Sequence, residues 1–236
     1  MKVANWRQPV GDAMSELFPA AREVAGWERD SIEKYCSRCG ASVGPHLHGN
    51  KRCAFCKNQS VPWGRIVRLS AYEQPMEDWI REMKFARAWT WAPWFGGELA
   101  AAVRELGSVD GEQVVVCPVP MHWSRRWRRG YNQAELMAGK LAEQLDIPMA
   151  HLLSRRTPTP PQTAVARDKR RANVRGCFSP KSIDLDGWRV LLVDDVKTSG
   201  STLGECIKVL SSMGARDVDV LVAAVADTAG TDFTRV

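Results

Sequence analysis

From residue 61 onward, apolar and polar positions switch between a two-residue and a roughly 3.6-residue period. That pattern predicts an α/β domain with a mostly parallel sheet. Residues 65–72 roughly alternate polar and apolar side chains and read as an edge strand. Residues 76–85 and 95–106 read as helices, and 133–145 as a strongly amphipathic one. The apolar run 114–117 is ended by Pro118 and Pro120, while 190–193 and 218–225 read as further buried strands. Between those two lies a helix over 203–213 with Gly214 as its C-cap. Upstream the pattern weakens: 12–18 reads as a short amphipathic helix stopped at Pro19, and 20 to about 34 as a polar helix. No internal repeat or low-complexity tract interrupts the chain.

A chain of 236 residues that is 44% hydrophobic and 25% charged is long enough for one ordinary domain with a small appendage. No apolar run approaches a membrane span, and the first seven residues lack the apolar core of a signal peptide. A cytoplasmic protein without membrane insertion is expected. The net charge of +6 is unevenly placed: residues 121–176 hold twelve Lys/Arg against four Asp/Glu, a balance of +8. An excess confined to one region suits a polyanion such as pyrophosphate or nucleic acid, with a solvated basic face as the plain alternative. Trp123 and Trp127 interleave with arginines there, as in grooves for single strands. Trp89, Trp91 and Trp94, around Pro93 and Gly96-Gly97, read as a packed corner, with base stacking as the sharper alternative.

Seven cysteines fall into two classes. Cys117, Cys177 and Cys206 sit in apolar or strand-like surroundings and read as small buried hydrophobes. Cys36, Cys39, Cys53 and Cys56 instead form two C-x-x-C pairs thirteen residues apart, the spacing of two knuckles that close a tetrahedral four-thiolate zinc site. Such a site leaves no open position, so its role is structural or for contacts, with redox chemistry as the rival reading of any C-x-x-C. His46 and His48 lie between the pairs and are expected to be exposed. The implied organisation is an N-terminal helical extension over 1–35, a zinc-ribbon module over 36–60 and the main domain over 61–236.

The densest chemistry follows the strand at 190–193. Asp194 and Asp195 come at its C-terminal end, followed by Lys197-Thr198-Ser199-Gly200-Ser201-Thr202 and then a helix. Backbone N–H groups, hydroxyls and a helix N-terminus suit one phosphate, whereas adjacent carboxylates would repel it. The two are reconciled by a pentose phosphate, its hydroxyls at the acids and its 5′-phosphate in the loop. A buried strand ending in two solvated acids is the bland alternative.

This stretch resembles the 5-phosphoribosyl-1-pyrophosphate (PRPP) motif of type I phosphoribosyltransferases. Further blocks follow in order: Pro118-Val119-Pro120-Met121-His122 with Arg125 and Arg126, Arg129-Gly130-Tyr131-Asn132-Gln133, Thr159-Pro160-Pro161-Gln162 after Arg156, and Arg170-Arg171-Ala172-Asn173. Together with the four cysteines they resemble the ComF family over about residues 36–229. One departure is an insertion of more than a dozen residues before Cys36. The resemblance implies a type I phosphoribosyltransferase fold with a structural Zn²⁺ and a PRPP site using Mg²⁺. Asp194 and Asp195 would meet the ribose hydroxyls, and residues 197–202 would hold the 5′-phosphate. Val119 to His122 with Arg126 would form the pyrophosphate loop. Residues 155–173, with Arg156, Thr159, Gln162 and Asn173, would form a mobile loop closing over the site, with Arg125 and Arg170 as catalytic cations. Lys84 echoes a family Lys-aromatic pair, with surface exposure as the alternative. The family further implies uptake of single-stranded DNA with a helicase-type competence partner. A non-catalytic nucleic-acid-binding protein or a PRPP-sensing regulator would use the same pocket.

Overall fold

The computed structural model describes residues 26–43, 53–107, 113–157 and 174–226. In chain order the elements are β1 (Ile66–Ala71), α1 (Met76–Phe85), α2 (Trp91–Glu105), β2 (Val114–Pro118), α3 (Trp123–Arg129), α4 (Gln133–Leu145), β3 (Leu153–Arg155), β4 (Phe178–Pro180), β5 (Arg189–Lys197), α5 (Ser201–Ser212) and β6 (Asp217–Val225). Four strands form one parallel sheet in the order β1-β6-β5-β2, while β3 and β4 pair antiparallel. The near-continuous apolar runs of β5 and β6 follow from burial on both faces of these central strands.

One face carries α1, α2 and α4, whose Ile80, Met83, Leu99, Met137 and Leu141 pack on Val67, Leu69, Val116, Leu191 and Leu221. The other carries α5, with Leu203, Cys206, Ile207 and Leu210 against Val190, Leu192, Val220 and Val222. Close approach of α2 to α4 depends on Gly96, where a Cβ would sit 2.3 Å from the Met137 carbonyl oxygen. Trp79, Trp91, Trp94 and Phe95 interlock with Trp27 at centroid separations of 4.8 to 6.1 Å, so Trp91 and Trp94 of the expected cluster belong to a packed corner. Cys117, Cys177 and Cys206 are buried as expected.

Several boundaries differ from the sequence expectation. The strand expected over 190–193 runs from 189 to 197, through both aspartates, because Val196 and Lys197 still pair with Ala224 and Val225 of β6. The helix expected from 95 starts at Trp91, since Pro93 falls in the first turn, where its missing N–H costs nothing. The polar helix expected over 20–34 is absent from its described part, where only Ile32–Lys34 form a 3-10 turn. That segment and the first cysteine pair after it instead cover the open edge of β1: the Asp30 N–H donates to the Leu69 carbonyl at 2.7 Å, and the Ile66 N–H donates to the Ser37 carbonyl at 2.7 Å. The helix expected over 12–18, together with His46 and His48, lies outside the described residues.

Connections set where a ligand site can form. From β2 the chain passes to α4 on one face, and from the adjacent β5 it passes to α5 on the other. Parallel neighbours whose connections diverge leave a crevice beyond their C-terminal ends, where open α/β sheets bind ligands. The chain places Pro118–Val119 at one lip and Asp194–Asp195 at the other.

Candidate ligand site and metal centre

Strand pairing aligns Pro118 with Val193, so the loop after β2 starts one residue below the aspartates. The Val119 N–H donates to the Val193 carbonyl at 2.9 Å, and the Val119 carbonyl accepts from Asn132 Nδ2 at 3.1 Å, which ties this loop to β5 and to the start of α4. Val119 is buried, while Pro120 and Met121 are half-buried. His122 is 3% exposed and caps α3, with Nδ1 2.8 Å from Ser124 Oγ and accepting the Ser124 N–H at 3.3 Å. Residues 123–129, expected as part of a loop, are thus helical, which splits the arginines between faces. Arg125 and Arg129 are half-buried, whereas Arg126 is exposed and bridges to Glu135 at 3.1 Å.

The two carboxylates have different surroundings. Asp195 pairs with Lys84 Nζ at 3.1 Å, so the lysine at the end of α1 does reach the site. Asp194 accepts the Asp195 N–H at 2.9 Å, yet burial and the neighbouring negative charge push its carboxyl up to about 7. The charges of Lys84 and Arg155 act against that rise. Arg155, on β3 with its guanidinium 5.4 Å above the Phe178 ring, was included in the expected loop but not singled out by sequence reasoning. It lies in a three-residue strand, too short to carry a period, beside the Arg156 that was singled out. Arg156 itself is exposed. Burial lowers the pKa of Arg125, Arg129 and Arg155, and Arg125 is lowered further by Arg155 and Arg129. The charges of Asp195 and Asp194 act against that lowering at Arg129 and Arg155, respectively. Thr159, Gln162, Arg170 and Asn173 lie outside the described residues.

Beyond the aspartates, Lys197 ends β5, and Thr198, Ser199 and Gly200 turn the chain into α5. Gly200 is the N-cap with φ +74°, a conformation natural to glycine. Ser199 Oγ lies 2.9 Å from Ser201 Oγ and accepts the Ser201 N–H at 3.4 Å. Ser201 and Thr202 form the first turn of the twelve-residue α5, so this turn combines hydroxyls with the positive end of a helix dipole.

The four patterned cysteines converge: their sulfurs lie within 4.8 Å of one another and all four residues are buried. Cys39 and Cys53 are 3.5 Å apart, Cys53 and Cys56 3.6 Å, and Cys36 and Cys56 3.8 Å. A zinc tetrahedron with bonds of about 2.3 Å has edges of about 3.8 Å, so the donor set fits the ion closely. Hydrogen bonding from Cys39 pulls Cys36 down to about 4, and the same contact with burial pushes Cys39 up, so a thiolate is favoured within the cluster. The knuckle is fastened to β1 by Arg68, which is 2% exposed. Its guanidinium donates to the Gly40 carbonyl at 2.6 Å, to Asp30 at 2.8 Å and to Ser42 Oγ at 2.9 Å.

Comparison with known proteins agrees with this geometry. Residues 132–233 match the phosphoribosyl transferase domain family. A purine phosphoribosyltransferase from Pyrococcus horikoshii is similar in structure at a TM-score of 0.34 and 19% identity, over 68% of this chain and 77% of that one. The DNA utilization protein YhgH of Salmonella typhi is 31% identical, over 78% of this chain and 81% of its own. Competence protein F of Haemophilus influenzae is 32% identical, over 79% of this chain and 82% of its own. With a parallel sheet flanked by helices and a relative of that identity and coverage, the chain has the type I phosphoribosyltransferase fold and belongs to the ComF family of competence proteins.

Proposed function

We propose that the protein binds PRPP with Mg²⁺ and transfers its phosphoribosyl group to an acceptor nucleophile during the handling of DNA. The observation that carries this reading is the joint placement of Asp194–Asp195 and the Thr198–Thr202 turn at one sheet crevice, with Lys84, Arg129 and Arg155 acting electrostatically on the acids. Carboxylates accept ribose hydroxyls, the turn takes the 5′-phosphate, and the cations offset the diphosphate. The names of the Haemophilus and Salmonella relatives, a competence protein and a DNA utilization protein, support the cellular setting.

In such a transfer the C1–oxygen bond breaks and pyrophosphate leaves with the electron pair. A new bond forms from the acceptor to C1, and the acceptor's proton passes to water. Positive charge develops on the ribose ring and negative charge on the departing diphosphate. The chain's task is therefore positioning and charge stabilisation. Asp194 and Asp195 hold the ring hydroxyls, and Arg125 with Arg155 lies near the leaving group. Bound Mg²⁺ would neutralise diphosphate oxygens, a role suited to a hard cation held largely by substrate and water.

The test is calorimetric titration with PRPP, with and without Mg²⁺, on the wild type and on Asp194→Asn/Asp195→Asn. Magnesium-dependent binding lost in the folded double variant is expected. Retained affinity in that variant would overturn the assignment of the two acids. A second reading, binding of single-stranded nucleic acid, rests on Trp123 and Trp127, which are 72% and 87% exposed among the arginines of α3.

A further inference from the structure

We propose that Trp63 is a positioning residue that couples the four-cysteine knuckle to the phosphate turn, so that metal occupancy sets the affinity of the sugar-phosphate site. The segment joining the two parts is short. Cys56 is the last thiol, β1 begins at Ile66, and Trp63 lies between them. Its indole N–H donates to the Arg38 carbonyl at 2.7 Å, and Arg38 sits inside the first knuckle, between Cys36 and Cys39. The far edge of the same ring meets the ligand turn. A Cβ at Gly200 would lie 3.0 Å from Trp63 Cη2, closer than side chains normally pack, and in ordinary contact with its Cζ3 at 3.6 Å. One turn further along α5, a Cβ at Gly204 would come 3.8 Å from Pro62 Cγ. A single rigid side chain therefore spans from the knuckle backbone to the N-cap of α5.

Both ends of that strut are places where small displacements matter. Gly200, at φ +74°, sets the direction in which the first N–H groups of α5 point. A shift of the Gly200 backbone re-aims them, and hydrogen bonds weaken steeply with angle. The Arg38 carbonyl in turn lies between Cys36 and Cys39, and a shared ion adds to the Ser37–Ile66 and Arg68–Gly40 bonds that hold this turn by fixing the spacing of the two thiolates. The other end of the segment is clamped independently of the metal. The Gly64 N–H donates to the Val218 carbonyl at 2.9 Å, and the Arg65 N–H donates to Asp219 Oδ1 at 3.0 Å. Trp63 is thus a lever with a fixed pivot, one arm on the knuckle and one on the turn. Coupling of this kind is reciprocal, so bound sugar phosphate also tightens the binding of the metal by the same factor.

The proposal rests on the sugar-phosphate reading for its ligand, and two measurements keep the failures apart. The first is hydrogen exchange at the amides of residues 198–203, without ligand, in the metal-loaded and chelated full-length protein. Chelation speeds exchange there in the wild type. In Trp63→Phe, which loses the N–H and the outer ring, exchange is already fast with metal bound and changes no further. The second is titration with Mg²⁺ and PRPP, in which chelation weakens wild-type binding by about 5- to 20-fold and leaves Trp63→Phe unmoved. Metal content is measured alongside, and Trp63→Phe retains its zinc, because all four thiols remain. Exchange at 198–203 that ignores chelation, or that responds equally in Trp63→Phe, overturns the coupling even if PRPP binds. An exchange response as described, in a protein that binds no PRPP, leaves the coupling standing and removes the sugar-phosphate reading.

Discussion

Asp194 is pulled in opposite directions by the fold and by the ligand. Burial and Asp195 raise its carboxyl to about 7 in the folded chain, against an ordinary value of 3.8. Between those two values the folded chain holds the proton more tightly than the unfolded one. Its contribution to stability is therefore greatest at low pH and falls as pH rises through about 7. Asp194→Asn relieves that penalty, so Tm at pH 8 should rise by several degrees and by less at pH 5. PRPP affinity should move the other way: lost in the variant, and in the wild type growing from pH 6 to pH 8 as the carboxyl ionises. Thermal scans and titrations at the three pH values check both. An unchanged Tm at pH 8 would show that the charged form is already satisfied. The acids themselves were legible in the sequence because strand, carboxylates and turn are contiguous. Arg155 and Lys84 were not equally legible, since each comes from a distant element and only the assembled crevice gives it a partner.

At the scale of elements, what holds α1 in place decides whether Lys84 meets Asp195. The Tyr131 hydroxyl donates to the Met83 carbonyl, one residue before that lysine, and Asn132 ties the next position to Val119. The Tyr131-Asn132 pair, which stood out in the sequence as a family block, is thus structural joinery between α1, the loop after β2 and α4. Tyr131→Phe should cost about 1 kcal/mol of stability and weaken PRPP binding severalfold through Lys84, as seen by denaturant melts and titration. A stability loss with unchanged affinity would show that Lys84 is held without it. Arg68→Ala should be more severe. It strips Asp30, Gly40 and Ser42 of a buried partner and should cost about 3–5 kcal/mol. Helices α1 and α4 were predicted to the residue because their apolar stripes face one core. Residues 26–34 were misread because edge coverage of β1 leaves no mark in local periodicity. The extension of β5 through its acids was missed because it depends on pairing with β6.

At the scale of the whole chain, the charge excess and two exposed tryptophans fall in one stretch of sequence. The +8 segment contains α3, and there Trp123 and Trp127 stand 72% and 87% exposed, one helical turn apart on the same side. Two large rings left in water bring no folding energy, and between exposed arginines they offer stacking surfaces beside phosphate contacts. Two terms separate in measurement. Stacking gives about 1–3 kcal/mol per base and varies little with salt, whereas each neutralised phosphate contributes about −0.7 to the slope of log K against log salt for single strands. For oligothymidine, Trp123→Ala/Trp127→Ala should lower affinity at least about tenfold with the slope unchanged. Arg126→Gln/Arg128→Gln should leave the stacking and flatten the slope by about 1.4, the value for two phosphates. PRPP binding should survive both double variants, because those four side chains project from the exposed side of α3 while Arg125 and Arg129 face inward. If the tryptophan variant flattens the slope as well, the rings position the arginines rather than stack on bases. If neither pair changes affinity, the basic segment serves the sugar-phosphate crevice alone.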